Sequence, residues 1–293
     1  MDCGNPETRC SAGQDNKSPP YPGLLMIFNV TRILGLVLLV VISSTAYFAR
    51  LRRLSTWFHL HLTWIMYCIT GLLNLGHQSG PEPPFSLCLF QAMMIPSTAA
   101  LTMCACLTFS IELYQLVAYA LQGRLIKATF RLWLFVIPYV AHFIVSVLVL
   151  VIGLKTPAII TRQHNLMFCR IESRIPVIVS SSVTACATMV AFFYIGLTAR
   201  LLHRNWHATA LFNLKHDMQI RAMFIRFSIF SVWPAAALVV SILTICAGQK
   251  AFEAESNKSS VLDVSEGFAP LFFAVIFGTQ TDILRSWVFW KKS

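Results

Sequence analysis

Apolar residues run through this chain in seven stretches, and the charged residues gather mainly in the gaps between them. Each stretch reads at spanning length, since a membrane helix needs about 20 consecutive apolar residues. The first three are Leu24 to Phe48, Thr56 to Gly76 and Phe85 to Leu121. The next three are Leu132 to Leu154, Ile175 to Leu202 and Met223 to Ala247. The seventh, Val264 to Phe277, is clearly apolar only from Phe268 onward, and by hydropathy alone a re-entrant or interfacial segment also fits. The third stretch organises the rest. It is 37 residues long, opens with Cys88 after a proline-rich loop, and holds one acid, Glu112, 24 residues further on, or about 36 Å along an ideal helix. Cys88 and Glu112 therefore belong near opposite membrane faces. After Gly278 the pattern changes to a short amphipathic helix, with Ile283, Leu284, Trp287, Val288 and Trp290 on one face. Such a segment lies in the membrane surface.

Composition agrees with the pattern. With 56% hydrophobic and 12% charged residues, the chain carries about half the charge of an average soluble domain. The first 22 residues lack the apolar centre of a cleavable signal peptide, so the first stretch is expected to serve as its own insertion signal. The net charge of +11 does not imply nucleic-acid binding, because the positive residues are spread over short connections. They instead set the topology. The connections after the first, third and fifth stretches, together with the C-terminus, hold 14 of the 23 basic residues against Asp217 and Asp282; the other side holds nine basic and nine acidic residues. The lopsided side is expected to be cytoplasmic, with the N-terminus outside and an odd number of spans. Two glycosylation sequons, at Asn16 and Asn257, fall on the outer side, and a third, at Asn29, lies inside the first stretch. The expected layout is an outer tail over 1–22, a seven-transmembrane all-α bundle over 23–278, and a cytoplasmic amphipathic helix and tail over 279–293.

Cys68, Cys104, Cys106 and Cys186 lie within the stretches and read as small packing residues. Cys88 and Cys169 sit at the outer face, where oxidation is permitted, as do Cys3 and Cys10, and spacing leaves their connectivity open.

An N-out, seven-span chain with a cysteine opening the third span and another in the second outer loop resembles the G-protein-coupled receptor superfamily. The Cys88-Leu89-Phe90-Gln91-Ala92 opening and the Phe277-Gly278-Thr279-Gln280-Thr281-Asp282 ending are similar to the receptor-like seven-transmembrane proteins of mushroom-forming (basidiomycete) fungi. The resemblance implies a Cys88–Cys169 disulfide, a heterotrimeric G protein as cytoplasmic partner, an extracellular ligand and a plasma-membrane location. In rhodopsin-like receptors an acid, an arginine and a tyrosine close the third span; here the triplet is Glu112-Leu113-Tyr114, with leucine in place of the arginine. The asparagine-proline-tyrosine motif of the seventh span is also missing, with Phe277-Gly278-Thr279-Gln280 near its place.

Glu112 is the sharpest single residue, because an ionisable group within a span is costly and is usually paired or functional. Its expected partners are the basic residues of the next loop or Arg226, unless it already reaches the interface. Arg32, about two turns inside the first stretch, is expected to extend outward to the headgroups. Trp233-Pro234 marks a bend near the middle of the sixth stretch, since proline removes one helical hydrogen bond. With Glu112 and Tyr114 these two residues form the expected signalling switch, and Arg124, Arg204, Arg221 and Arg226 the expected cytoplasmic contacts. If helix rotations follow the receptor pattern, Gln91, Met94 and Trp233 line the ligand pocket.

Other functions fit less well. A zinc-dependent lipid hydrolase needs histidines converging at one depth, whereas His59 and His61 point to different sides of one helix. A retinal protein needs a lysine in the last span, and none lies between Val264 and Trp290. A transporter or scaffold is the main alternative, although repeated halves are not evident. The expected protein is thus a receptor without enzymatic chemistry, resident metal or cofactor.

Overall fold

A computed structural model describes residues 22–51, 53–122, 128–162, 167–204, 214–247 and 256–289. The apolar stretches form helices α1 (Pro22–Phe48), α2 (Ser55–Leu72), α3 (Phe85–Gln122), α4 (Ala128–Lys155) and α5 (Arg174–Arg204). The sixth stretch is divided between α6 (Leu214–Phe230) and α7 (Val232–Ala247), and α8 (Ser256–Gly278) and α9 (Thr281–Phe289) complete the chain. Between α4 and α5 a small antiparallel hairpin, β1 (Ile160–Arg162) with β2 (Cys169–Ile171), pairs Arg162 with Cys169. The hairpin is the one departure from an all-helical plan among the described residues.

Four helices, Pro22–Phe48, Phe85–Tyr119, Leu132–Lys155 and Arg174–Arg204, are long and apolar enough to cross a membrane. Their outward faces carry exposed apolar side chains, including Val37 and Val41 on α1 and Phe143 and Ile144 on α4. A belt of this kind is stable in lipid and would aggregate in water. The chain is a helical membrane protein.

The buried stripe of α1 runs Phe28, Thr31, Arg32, Gly35, Leu39, Ile42 and Ala46, the three-to-four spacing of a helix with one inward face. It packs chiefly on α8, while α3 touches α2, α4, α5 and the hairpin and is the most enclosed helix. At Gly35 a β-carbon would lie 3.1 Å from both the Leu271 backbone nitrogen and Pro270 Cβ. Small residues at such crossings let membrane helices approach closely. Gly35→Val should therefore push α1 off α8, with a loss of about 1–3 kcal/mol, read as a lower melting temperature of the purified protein.

The division of the sixth stretch at Ser231 has a chemical cause. Pro234 has no N–H to offer the carbonyl of Phe230, and Ser231 Oγ donates to the Phe227 carbonyl at 2.7 Å, a side-chain bond that bends helices. The regular helix is interrupted at Ser231, three residues before Pro234.

Candidate functional site: polar clusters at the two ends of the bundle

At one end, Cys88 in the first turn of α3 is bonded to Cys169 of β2, with Cα atoms 5.2 Å apart. Three polar clamps hold the same hairpin. Gln91, fully buried, accepts from the Cys169 backbone N–H at 2.9 Å and donates to the Thr70 carbonyl at 3.2 Å. Gln78 exchanges two hydrogen bonds with Asn29 and donates to the Met167 carbonyl. Arg162 donates to the carbonyls of His77 and Gly80, each at 3.0 Å. Met167 is thereby fixed over Phe28 and Val264 as a roof on the α1–α8 seam.

Beneath that roof lies Arg32. Its exposure is 4%, so it does not extend outward as its position in the stretch led us to expect. It turns inward, donates from Nη1 to the Tyr67 carbonyl at 2.8 Å, and lies over the rings of Tyr67 and Phe28 at 4.2 and 5.1 Å. Two aromatic faces and a carbonyl repay part of the cost of desolvating a guanidinium. Gly71 admits it, since a β-carbon there would lie 3.1 Å from Arg32 Cζ. Tyr67 in turn donates its hydroxyl to Glu266 Oε2 at 3.3 Å.

The middle of the bundle is aromatic. His61 and Trp64 on α2 meet Phe273 on α8, and His61 also meets Phe277; His61 lies tilted against Trp57 at 3.7 Å, and Trp64 stacks on Phe273 at 5.6 Å. His59 faces away, toward Phe135 and Tyr139 of α4. Among the described residues, no three His, Cys, Asp or Glu side chains come together as a metal site. Pro234, Ser231, Phe227, Met103 and Cys106 border a crevice with room for no more than about one water.

At the far end, Glu112 accepts a hydrogen bond from Thr56 Oγ1 in the first turn of α2, where the partial positive charge of the helix N-terminus favours a carboxylate. Among the described residues its partner is therefore Thr56 and not Arg226, and the loop over 123–127 lies outside them. Leu113 is 1% exposed and packs in the main core with Phe109 and Val117, so a charged side chain has no place at that position. Tyr114 meets Tyr194 of α5 edge-on at 5.7 Å.

Arg226 instead holds the end of α8. Its Nη1 donates to the Ile276 carbonyl at 2.6 Å and to Thr279 Oγ1 at 3.0 Å, and its Nη2 donates to the Thr279 carbonyl at 2.9 Å. A cation at the last carbonyls of a helix meets both unsatisfied acceptors and the negative end of the dipole. Beside it Arg53 pairs with Asp282 at 3.4 Å. Burial lowers the Arg53 pKa and Asp282 opposes the shift; an arginine remains charged throughout. Trp287 of α9 donates to Thr45 Oγ1 of α1 at 3.0 Å, so α9 lies across the end of α1 with Ile283 buried and Leu284 exposed.

The remaining expected site residues are scattered. Arg204 is exposed at the end of α5 and Arg221 is half-buried in α6. Met94 is half-buried in α3, while Trp233 packs on Phe272 at 6.1 Å. Gln91 is committed at both ends of its amide, and none of Gln91, Met94 and Trp233 borders the crevice beside Pro234. Arg124, Asn16, Cys3 and Cys10 lie outside the described residues, as does the side chain of Asn257 in the first turn of α8. Sequence reading passed over Glu266 and Tyr67. No protein-family model matches the chain, and no curated protein matches it in sequence.

Proposed function

We propose that this chain is a seven-span receptor of the plasma membrane, with its N-terminus and the disulfide end outside, which senses an extracellular ligand and signals to a heterotrimeric G protein. In this reading α1 to α5, the α6–α7 pair and α8 are the seven spans, and α9 lies on the cytoplasmic surface. The observation that carries it is the construction of the sixth span. Its regular helix is interrupted at Ser231, with backbone bonds from Ser231 to Phe227 and from Ala235 to Ser231 running across the interruption, and its inner half is fastened to the end of α8 by a half-buried arginine. A broken helix with one releasable end has two discrete positions, and a ligand acts by preferring one of them.

Opening of α6 would uncover Glu112 and Tyr114 to a cytoplasmic partner, beside Arg221 and the already exposed Arg204. Labels placed at Ala222 on α6 and Leu284 on α9, in a Cys186→Ser background, should separate when an agonist is added. Pro234→Ala should blunt that separation. Labels that stay fixed while a G protein is demonstrably activated would exclude the mechanism. Topology is checked separately: an epitope tag before Tyr21 should be reached by antibody in intact cells, and one after Ser293 only after permeabilisation. The same preparation should lose apparent mass on glycosidase treatment, and Asn16→Gln with Asn257→Gln should abolish that loss.

A further inference from the structure

The disulfide end contains two opposite charges that face one another without joining. On α8, Glu266, Ala269, Phe273 and Phe277 recur at helical spacing and so occupy one face. Phe273 and Phe277 point at His61 on α2, so this face looks into the bundle. Glu266 is the outermost rung of that seam, and unlike the rungs below it, it is exposed. An exposed acid on an inward face leaves its carboxylate accessible at this end of the bundle. Arg32, itself buried, meets the same Tyr67 from α1. Its Nε is buried without an acceptor, and it makes no ion pair with Glu266, although Tyr67 touches both. A guanidinium buried with an unused donor is costly unless something completes it. Above the pair the walls are apolar: Phe28, Met167 and Val264, with Leu24 and Phe168 packed against them.

We propose that Arg32 and Glu266, joined through Tyr67 and roofed by Met167, bind a zwitterion with an apolar remainder, the chemistry of an apolar amino acid. The ligand's carboxylate meets the guanidinium of Arg32, its ammonium meets Glu266, and its side chain lies against Phe28 and Met167. Each charge of the ligand then satisfies a charge of the protein, so the filled site is neutral. A lone anion or a lone cation leaves one protein charge unmatched. The proposal rests on the outward orientation given under Proposed function and deepens that reading by naming the ligand class.

The test is binding to the purified full chain in detergent, without a G protein, by thermal shift and calorimetry. L-leucine, L-methionine and L-phenylalanine are the probes, against 3-phenylpropanoate and 2-phenylethylamine as single-charge analogues of phenylalanine. At least one amino acid should bind, and phenylalanine should bind at least tenfold more tightly than either analogue. Glu266→Gln, at an exposed position, should fold normally and erase the preference for phenylalanine over 3-phenylpropanoate. Arg32→Gln should erase the preference over 2-phenylethylamine, and Gly71→Ala, which crowds the guanidinium, should weaken all three amino acids. In nanodiscs, loss of amino-acid binding in phosphatidylcholine but not phosphatidylglycerol would assign the same zwitterion chemistry to a lipid headgroup. No binding by any of the three amino acids, or equal binding by wild type and Glu266→Gln, overturns the proposal. Since no signalling step is measured, that failure leaves the sixth-helix mechanism standing. Intact binding without label separation would sink the receptor reading alone.

Discussion

Arg226→Ala should raise ligand-independent activity. The side chain makes three hydrogen bonds to Ile276 and Thr279 at the end of α8, two of them to carbonyls that the helix itself leaves without partners. Hydrogen bonds from a charged donor contribute roughly 1.5–3 kcal/mol each when buried, and the half-exposure of Arg226 reduces this. A net bias of about 2 kcal/mol toward the closed position is a reasonable scale, and its removal shifts the equilibrium by roughly 30-fold. The direct measurement is the distance between labels at Ala222 and Leu284 without agonist. The longer-distance population should grow in Arg226→Ala, and Arg226→Lys, which keeps the charge but not the fork, should fall between. Nucleotide exchange on a co-reconstituted G protein should rise in the same order. An unchanged distance distribution in Arg226→Ala would show that these bonds do not set the resting position.

Arg53 provides an internal control for that experiment. Its ion pair with Asp282 joins the α1–α2 connection to α9, and removing it leaves the attraction of Asp282 for Arg226 of α6 in place. Arg53→Gln should therefore loosen α9 without separating the α6 label from a reference label at Val275, exposed on α8. If both substitutions act alike, the whole far end opens as a unit rather than about the break at Ser231.

How far the sequence could be read depended on whether a feature is one-dimensional. Apolar runs, basic asymmetry and the proline beside Trp233 are properties of order along the chain, and helix positions followed from them. The direction in which a side chain points around a helix is not. Arg32 was expected to extend outward because depth alone favours that path, but its direction is set by Gly71 and Tyr67, which are 39 and 35 positions away in sequence. The same limit applies to Gln91. It was placed correctly at the start of α3, yet the amide is consumed by Thr70 and Cys169, and only the fold brings these together.

Glu266 shows a different failure. Its charge, with that of Asp263, makes the start of the seventh stretch polar, and the chain is clearly apolar only from Phe268. An acid that weakens a hydropathy signal is also an ionisable group on a helix packed into the bundle, and such groups are candidates for function in a seven-span reading. The spacing of Glu266, Ala269, Phe273 and Phe277 was available in the sequence and would have placed the acid on the aromatic face. Leu113 is the converse case. The missing arginine was visible at once, but the reason for leucine there, complete burial beside Phe109 and Val117, is a property of packing.

Loss of the Cys88–Cys169 bridge should be the largest stability effect of any single exchange at the disulfide end. The bond closes a loop with a sequence separation of 81 residues, and removing such a constraint typically costs about 2–4 kcal/mol. Gln91, Gln78 and Arg162 still hold the hairpin to α1, α2 and the α2–α3 connection, so Cys88→Ser should fold and melt at a lower temperature rather than fail outright. Thiol titration of the denatured, unreduced protein gives a sharp reading. Cys88→Ser removes one cysteine but releases Cys169, so the titratable count should rise by one; a fall by one would show that no bridge had formed. Gln91→Ala on the same background should cost roughly a further 1–3 kcal/mol, because it leaves the buried Cys169 N–H without an acceptor. Since the two changes act on one short strand, their combined effect should be less than their sum. If Gln91→Ala alone lowers the melting temperature while Cys88→Ser leaves it unchanged, the amide clamp rather than the bridge fixes the roof over Arg32.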